Sequence, residues 1–138
     1  DKTEYSLVDG GVVANNPSAC GVAEAIRLLG RESLYDPAGG ILLLSVGTGS
    51  LTRPIKPEKA KTWGGIQWVL PMIDVLFDGS ADAHDFICRG ILRDTDYYRM
   101  QVDLYGASDD LDDASEQNMK NLLSLAEKYA DENGALFA

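Results

Sequence analysis

The sequence predicts an α/β domain, a mostly parallel sheet flanked by helices. Three observations carry the prediction. Short apolar runs of strand length alternate with apolar stripes of helical spacing, in the order strand, helix, strand, two helices, strand, helix. Ile41-Leu42-Leu43-Leu44-Ser45-Val46 is nearly unbroken aliphatic, the pattern of a strand covered on both faces. Glycines follow the predicted strands at Gly10-Gly11 and at Gly47-Thr48-Gly49, where a chain turns from sheet to helix.

The elements follow in chain order. Residues 5–8 read as a short buried strand running into Asp9. Asn16 is placed to cap a helix, and Pro17 suits its first position, where a missing N–H is harmless. Ala19, Val22, Ala23, Ile26 and Leu29 recur at three- and four-residue spacing, and Gly30 stops the run. Asp36-Pro37 and Gly39-Gly40 form a loop ahead of the strand at 41–46. Residues 51–62 carry Pro54, Pro57 and the basic cluster Arg53, Lys56, Lys59 and Lys61, which reads as an exposed loop.

Ile66, Val69, Leu70, Ile73, Leu76 and Phe77 form a helical stripe, with a kink or a restart expected at Pro71. Gly79-Ser80 predicts a break. A second helix then covers about 81–92 with Ala83, Phe86, Ile87 and Ile91 inward. Residues 97–104 alternate Tyr98, Met100, Val102 and Leu104 as a strand. Asp109 to Asp113 is an acidic loop, and Asp113 with Glu116 has the spacing of a capping box. The last helix runs to about Asn133, with Met119, Leu122, Leu123, Ala126, Tyr129 and Ala130 inward, and Gly134 ends it.

Composition narrows the function classes. With 138 residues, 45% hydrophobic and 25% charged, the chain suits one folded domain over 1–138. Its 22 acidic against 12 basic residues give a net charge of −10, which argues against nucleic acid as a partner. Nothing is apolar for long enough to span a membrane. Trp63 and Trp68 lie near the 66–77 stripe, so peripheral membrane contact is weighed there, but the helical spacing favours core packing. Cys20 and Cys88 both fall in apolar helical patterns and read as buried free thiols, which favours a reducing, cytoplasmic or peripheral-membrane location. The chain begins at Asp1 just before a strand, as a piece cut from a longer protein would.

The chemistry centres on Asp9. Ligands of open α/β sheets bind beyond the carboxyl ends of the strands. A carboxylate there points into such a cleft, while Gly10 and Gly11 permit positive φ and close backbone approach. Spacing alone leaves a second reading open, in which Asp9 serves its own turn. The single His84 sits mid-helix between Asp82 and Asp85 and reads as a surface residue rather than a catalytic base. No G-x-S-x-G elbow occurs. Gly47 to Ser50 lacks the lysine of a phosphate loop, which weighs against a nucleotide-binding domain. No cofactor motif or metal-ligand spacing is present. A calcium-loop register from Asp110 puts Ser115 where glycine belongs and Asn121 where glutamate belongs.

Asp9-Gly10-Gly11, then Asn15-Asn16-Pro17, then Ser45-Val46-Gly47-Thr48-Gly49 resembles the patatin-like phospholipase family. Weaker echoes are the 74–80 stretch "DVLFDGS", "YYRMQ" at 97–101 and "DDAS" at 112–115. The resemblance implies a lipid acyl hydrolase in which a Ser-Asp dyad, needing no histidine, cleaves fatty-acyl esters of phospholipids. Asp9 matches the family's acid, with Gly10 and Gly11 as its supporting loop. The family's serine elbow and glycine-rich oxyanion loop lie upstream of that motif, so the chain resembles the C-terminal half of the domain. The resemblance thus implies a lipid ester as substrate, an incomplete sheet missing its N-terminal half, and a fragment inactive alone. An exposed sheet edge would invite the missing half or a second copy as partner. The alternative is a patatin-like pseudoenzyme that binds lipid or protein without catalysis.

Overall fold

The computed structural model describes residues 4–36, 40–51, 54–110 and 112–134. Arg53, the predicted turn at 37–39 and the side chain of Leu70 lie outside the described residues. The elements are α1 (Gly11–Ala14), α2 (Ser18–Leu29), a 3-10 turn (Arg31–Leu34), β1 (Leu43–Val46), α3 (Pro57–Ala60), α4 (Gly65–Ile91), β2 (Tyr97–Met100) and α5 (Glu116–Glu132). The chain divides into two compact units, Asp1–Ser45 with Ile55–Tyr98, and Val46–Pro54 with Arg99–Ala138.

The first unit holds a small core. Val22, Cys88, Leu92 and Tyr97 are buried together, and Ala19, Ile26, Leu34, Ile41 and Leu43 pack against them. The helical spacing of Ala19, Val22 and Ile26 puts one face of α2 on this core, as predicted. Leu29 and Ala23 lie outside it, and Leu29 is exposed. Gly30 ends α2 with φ +88, its N–H bonding the Ile26 carbonyl at 2.9 Å. At its start α2 begins one residue later than expected, with Pro17 at the cap position and Ser18 first in the helix. The Asn16 side-chain oxygen still accepts the Ser18 N–H at 3.2 Å.

β1 and β2 pair in parallel. Leu43 N–H donates to the Asp96 carbonyl at 2.8 Å in the first unit. In the second unit Gly47 N–H donates to Met100 O at 2.8 Å, and a parallel bridge joins Ser50 to Asp103. The burial of β1 corrects one expectation. Leu43 and Ser45 turn inward, but Leu44 is 57% and Val46 68% exposed. The strand is covered on one face, because no described element packs on the other.

Residues 5–8 are not a buried strand either. Leu7 is 85% and Val8 84% exposed, and no strand pairs with them among the described residues. A strand gains its hydrogen bonds from a neighbour, and here none is present.

α4 is one helix of 27 residues, continuous through Pro71 and through the predicted break at Gly79-Ser80. A helical glycine loses only about 1 kcal/mol against alanine, too little to interrupt so long a run. Ser80 Oγ also donates back to the Phe77 carbonyl at 3.0 Å. The inward side of its second half is Cys88, continued by Leu92 at the helix end, with Ala81, His84 and Asp85 half-buried, whereas Ala83, Phe86, Ile87 and Ile91 are exposed. The buried face runs through Ala81, His84, Asp85 and Cys88, about a quarter turn from the apolar stripe that continues from Ile73 and Leu76 to Ile87 and Ile91. In the first half, Ile66, Val69, Ile73 and Leu76 are exposed rather than packed as core. Trp63 and Trp68 meet edge to face, with centroids 5.0 Å apart. Among the described residues no helix is long and apolar enough to cross a membrane.

In the second unit the inward residue near the end of the third predicted strand is Leu104, as expected, but the regular strand stops at Met100. α5 is capped by Ser115, whose hydroxyl accepts from Asn118 N–H at 3.3 Å, not by Asp113. Asp113 stands two residues earlier and accepts from Ser115 N–H at 3.2 Å. Met119, Leu123, Ala126 and Ala130 are exposed, contrary to expectation, while Leu122, Leu125 and Tyr129 are half-buried. Lys56, Lys59 and Lys61 are exposed as predicted, although a helical turn, α3, forms among them.

Candidate active site

Asp9 sits in an exposed turn at the foot of α1. Its Oδ1 accepts the Gly11 N–H at 2.7 Å, and its carbonyl accepts from Val12 N–H at 3.2 Å. Gly10 adopts φ −62, and positive φ among the described glycines falls at Gly30, Gly49 and Gly106 instead. Positive φ is therefore not what Gly10 and Gly11 supply. At Gly11 the gain is proximity, since a Cβ there would lie 3.0 Å from Asp9 Oδ1. Around Gly10 a Cβ would meet nothing within 4 Å.

Behind this turn runs a buried polar chain that pattern reading missed. Asn16 is 1% exposed, and its Nδ2 donates to the Ala81 carbonyl of α4 at 3.2 Å. Its Oδ1 accepts from Ser18 Oγ at 2.5 Å, and the Ser18 and Ser45 hydroxyls lie 2.7 Å apart. Ser45 also hydrogen-bonds the Tyr97 hydroxyl, which donates to Asp85 Oδ1 at 2.6 Å. Arg89 Nε donates to Asp85 Oδ2 at 2.8 Å and its guanidinium lies 5.2 Å above the Tyr97 ring. Burial, and then the bond to Asp85, push the Tyr97 phenol above its ordinary range. The signal available in the sequence was the polar residue inside an aliphatic run, Ser45.

The glycine loop after β1 is shaped by packing. Gly49 has φ +104, and a Cβ there would come within 2.5 Å of Leu104. A Cβ on Gly47 would collide with the Gln101 side chain, which Arg99 holds at 3.1 Å. A small cleft beside this loop is lined by Ser50, Leu51, Asp103, Leu104 and Tyr105.

The remaining candidates separate. His84 is half-buried rather than on the surface, and its Nδ1 is buried with no hydrogen-bond partner among the described residues. Cys88 is buried as predicted, with its thiol pushed up by burial and by the Asp85 charge. Cys20 is exposed, contrary to expectation, because it lies on the outer side of α2. Among the described residues no three His, Cys, Asp or Glu side chains gather as a metal site would need. The acidic loop is clamped instead by buried Asn118. Its Oδ1 accepts from Ser108 N–H at 2.8 Å, and its Nδ2 donates to the Ser108 and Asp113 carbonyls at 3.2 and 3.0 Å.

The chain is similar to known proteins along nearly all its length. Patatin-like protein 2 of Oryza sativa subsp. indica is 33% identical over 94% of this chain. Patatin-like protein 1 of Arabidopsis thaliana is 32% identical over 93%, and Patatin-08 of Solanum tuberosum 30% over 92%. The chain spans only 37%, 35% and 36% of those relatives' lengths. No family model matches it, and no solved structure matches it significantly.

Proposed function

The chain belongs to the patatin-like family, and from that premise we propose that it is the acid-bearing part of a lipid acyl hydrolase. The observation that carries the reading is the exposed Asp9 carboxylate on its glycine turn, within a stretch matched along 94% of the chain by a patatin-like relative. The nucleophilic serine and the oxyanion donors come from chain outside these residues. The serine oxygen attacks the ester carbonyl carbon while Asp9 takes its proton. The tetrahedral intermediate collapses, the alcohol leaves with that proton, and an acyl-serine remains. Water then attacks the acyl-serine and releases the fatty acid.

The uncovered side of β1 fits this reading. Leu44 and Val46 form the apolar face that the rest of a patatin-like domain would cover. The 138-residue chain alone lacks a nucleophile for this chemistry and is inactive on this account.

A fluorophosphonate probe tests the proposal on the longer protein that contains this segment. The expected result is covalent labelling of one serine outside these residues, lost when that serine is replaced by alanine. No labelling together with no ester turnover would overturn the hydrolase and move the non-catalytic binding module forward. In that module Asp9 serves its own turn, a role that the bond from the Gly11 N–H at 2.7 Å suits.

A further inference from the structure

We propose that Asn16 is the positioning residue of the Asp9 turn, anchoring it through buried hydrogen bonds to α4 and β1. The inference rests on the reading of Asp9 as the dyad acid for its catalytic meaning, but not for its geometry. α1 lies against α4, yet no residue from 4 to 15 is buried, so that packing is shallow. Asn16 is the first buried side chain after it, at 1% exposure.

Local hydrogen bonds stiffen the turn, and two backbone residues then join it to that anchor. Asp9 Oδ1 holds Gly11 N–H. The single turn of α1 follows, with Val13 and Ala14 N–H groups both on the Gly10 carbonyl at 3.0 and 2.9 Å. Asn16 then grips three groups at once, the Ala81 carbonyl, the Ser18 N–H and the Ser18 hydroxyl. Ser18 passes the link to Ser45 on β1. Asparagine suits this task because one side chain supplies both donor and acceptor. Losing it strands buried polar partners, which is why a swap to an apolar residue acts beyond its own volume.

Amide hydrogen exchange by NMR on the longer protein that contains this segment tests this directly. Asn16→Ala is expected to speed exchange at the Gly11 amide about tenfold, with the Cys88 amide unchanged. Val22→Ala, which weakens the core without touching these bonds, is expected to leave Gly11 exchange as in the wild type. Unchanged Gly11 exchange in Asn16→Ala, or equal acceleration in both variants, would overturn the proposal. If circular dichroism shows that Asn16→Ala does not fold, Asn16→Asp replaces it. That variant keeps the acceptor for Ser18 and replaces the donor to Ala81 by a carboxylate oxygen that the carbonyl repels, and the same outcomes apply.

In the longer protein, Asn16→Ala is expected to lower kcat about tenfold with KM within about twofold. If Gly11 loosens but Asp9→Asn leaves ester turnover intact, the hydrolase assignment fails while the anchor stands. If Asp9→Asn abolishes turnover and Gly11 stays tight in Asn16→Ala, the anchor fails while the hydrolase stands.

Discussion

Tyr97 donates its hydroxyl hydrogen to Asp85 Oδ1 at 2.6 Å, linking the start of β2 to the buried side of α4. The carboxylate is shared with Arg89, and the Tyr97 ring belongs to the core with Val22, Cys88 and Leu92. Hydrogen bonds to charged groups contribute about 1.5–3 kcal/mol, so Tyr97→Phe should lower unfolding free energy by that order at neutral pH. Urea denaturation measures it. The pH dependence has a definite sign. A phenol raised in the folded state keeps its proton where the unfolded chain has released it. That stabilisation is complete below the ordinary tyrosine value of about 10 and is lost as pH rises from there through the folded value. The gap between wild type and Tyr97→Phe should therefore narrow in strong alkali. A gap that widens with pH would contradict the assignment.

The two cysteines should react at very different rates. Cys20 is exposed, whereas Cys88 is buried with its thiol pushed up by burial and the Asp85 charge. Thiolate is the reactive form, so both access and ionisation disfavour Cys88. An aromatic disulfide reagent at neutral pH should modify one thiol per native chain, mapped to Cys20, and the second only in denaturant. Prompt modification of Cys88 would show that the first unit's core opens easily.

Gly49 and Gly106 make a matched pair. Both have positive φ, but a Cβ on Gly49 would strike Leu104 at 2.5 Å while one on Gly106 meets nothing within 4 Å. Gly106→Ala should therefore lose about 1 kcal/mol, the left-handed backbone penalty alone. Gly49→Ala should lose more, adding an overpacking term of about 1–3 kcal/mol. Equal losses in thermal denaturation would mean that Leu104 moves aside freely.

Local signals were legible in the sequence wherever one residue decides the outcome. Gly30 ends α2 because only a residue free of Cβ strain adopts its φ comfortably, and the Asn16-Pro17 pair announces the helix start. The parallel pairing of the two main strands was legible from the aliphatic run at 41–46 and from the alternation of strands with helices. What failed was whatever depended on a distant surface. The same apolar alternation that predicts burial for residues 5–8 and for both faces of β1 gives exposed side chains when nothing packs there. The face of α4 near Cys88 was not legible, because the core of α2 and β2 meets α4 beside its apolar stripe rather than on it. At the candidate site, the turn at Asp9 was legible from Asp-Gly-Gly, and the Asp9 carboxylate accepts the Gly11 N–H. Asn16, Ser18 and Ser45 were not recognised as one network, because their contact spans 29 residues of sequence and polar side chains carry no periodicity.

The central claim is that Asp9 is a catalytic acid, and one measurement tests it most directly. Turnover of a chromogenic acyl ester is compared between the longer wild-type protein and its Asp9→Asn variant, with circular dichroism confirming that both fold. A dyad acid predicts a loss of about 10²- to 10⁴-fold in kcat at unchanged fold. Equal turnover in the two proteins would make Asp9 a turn residue and contradict the account.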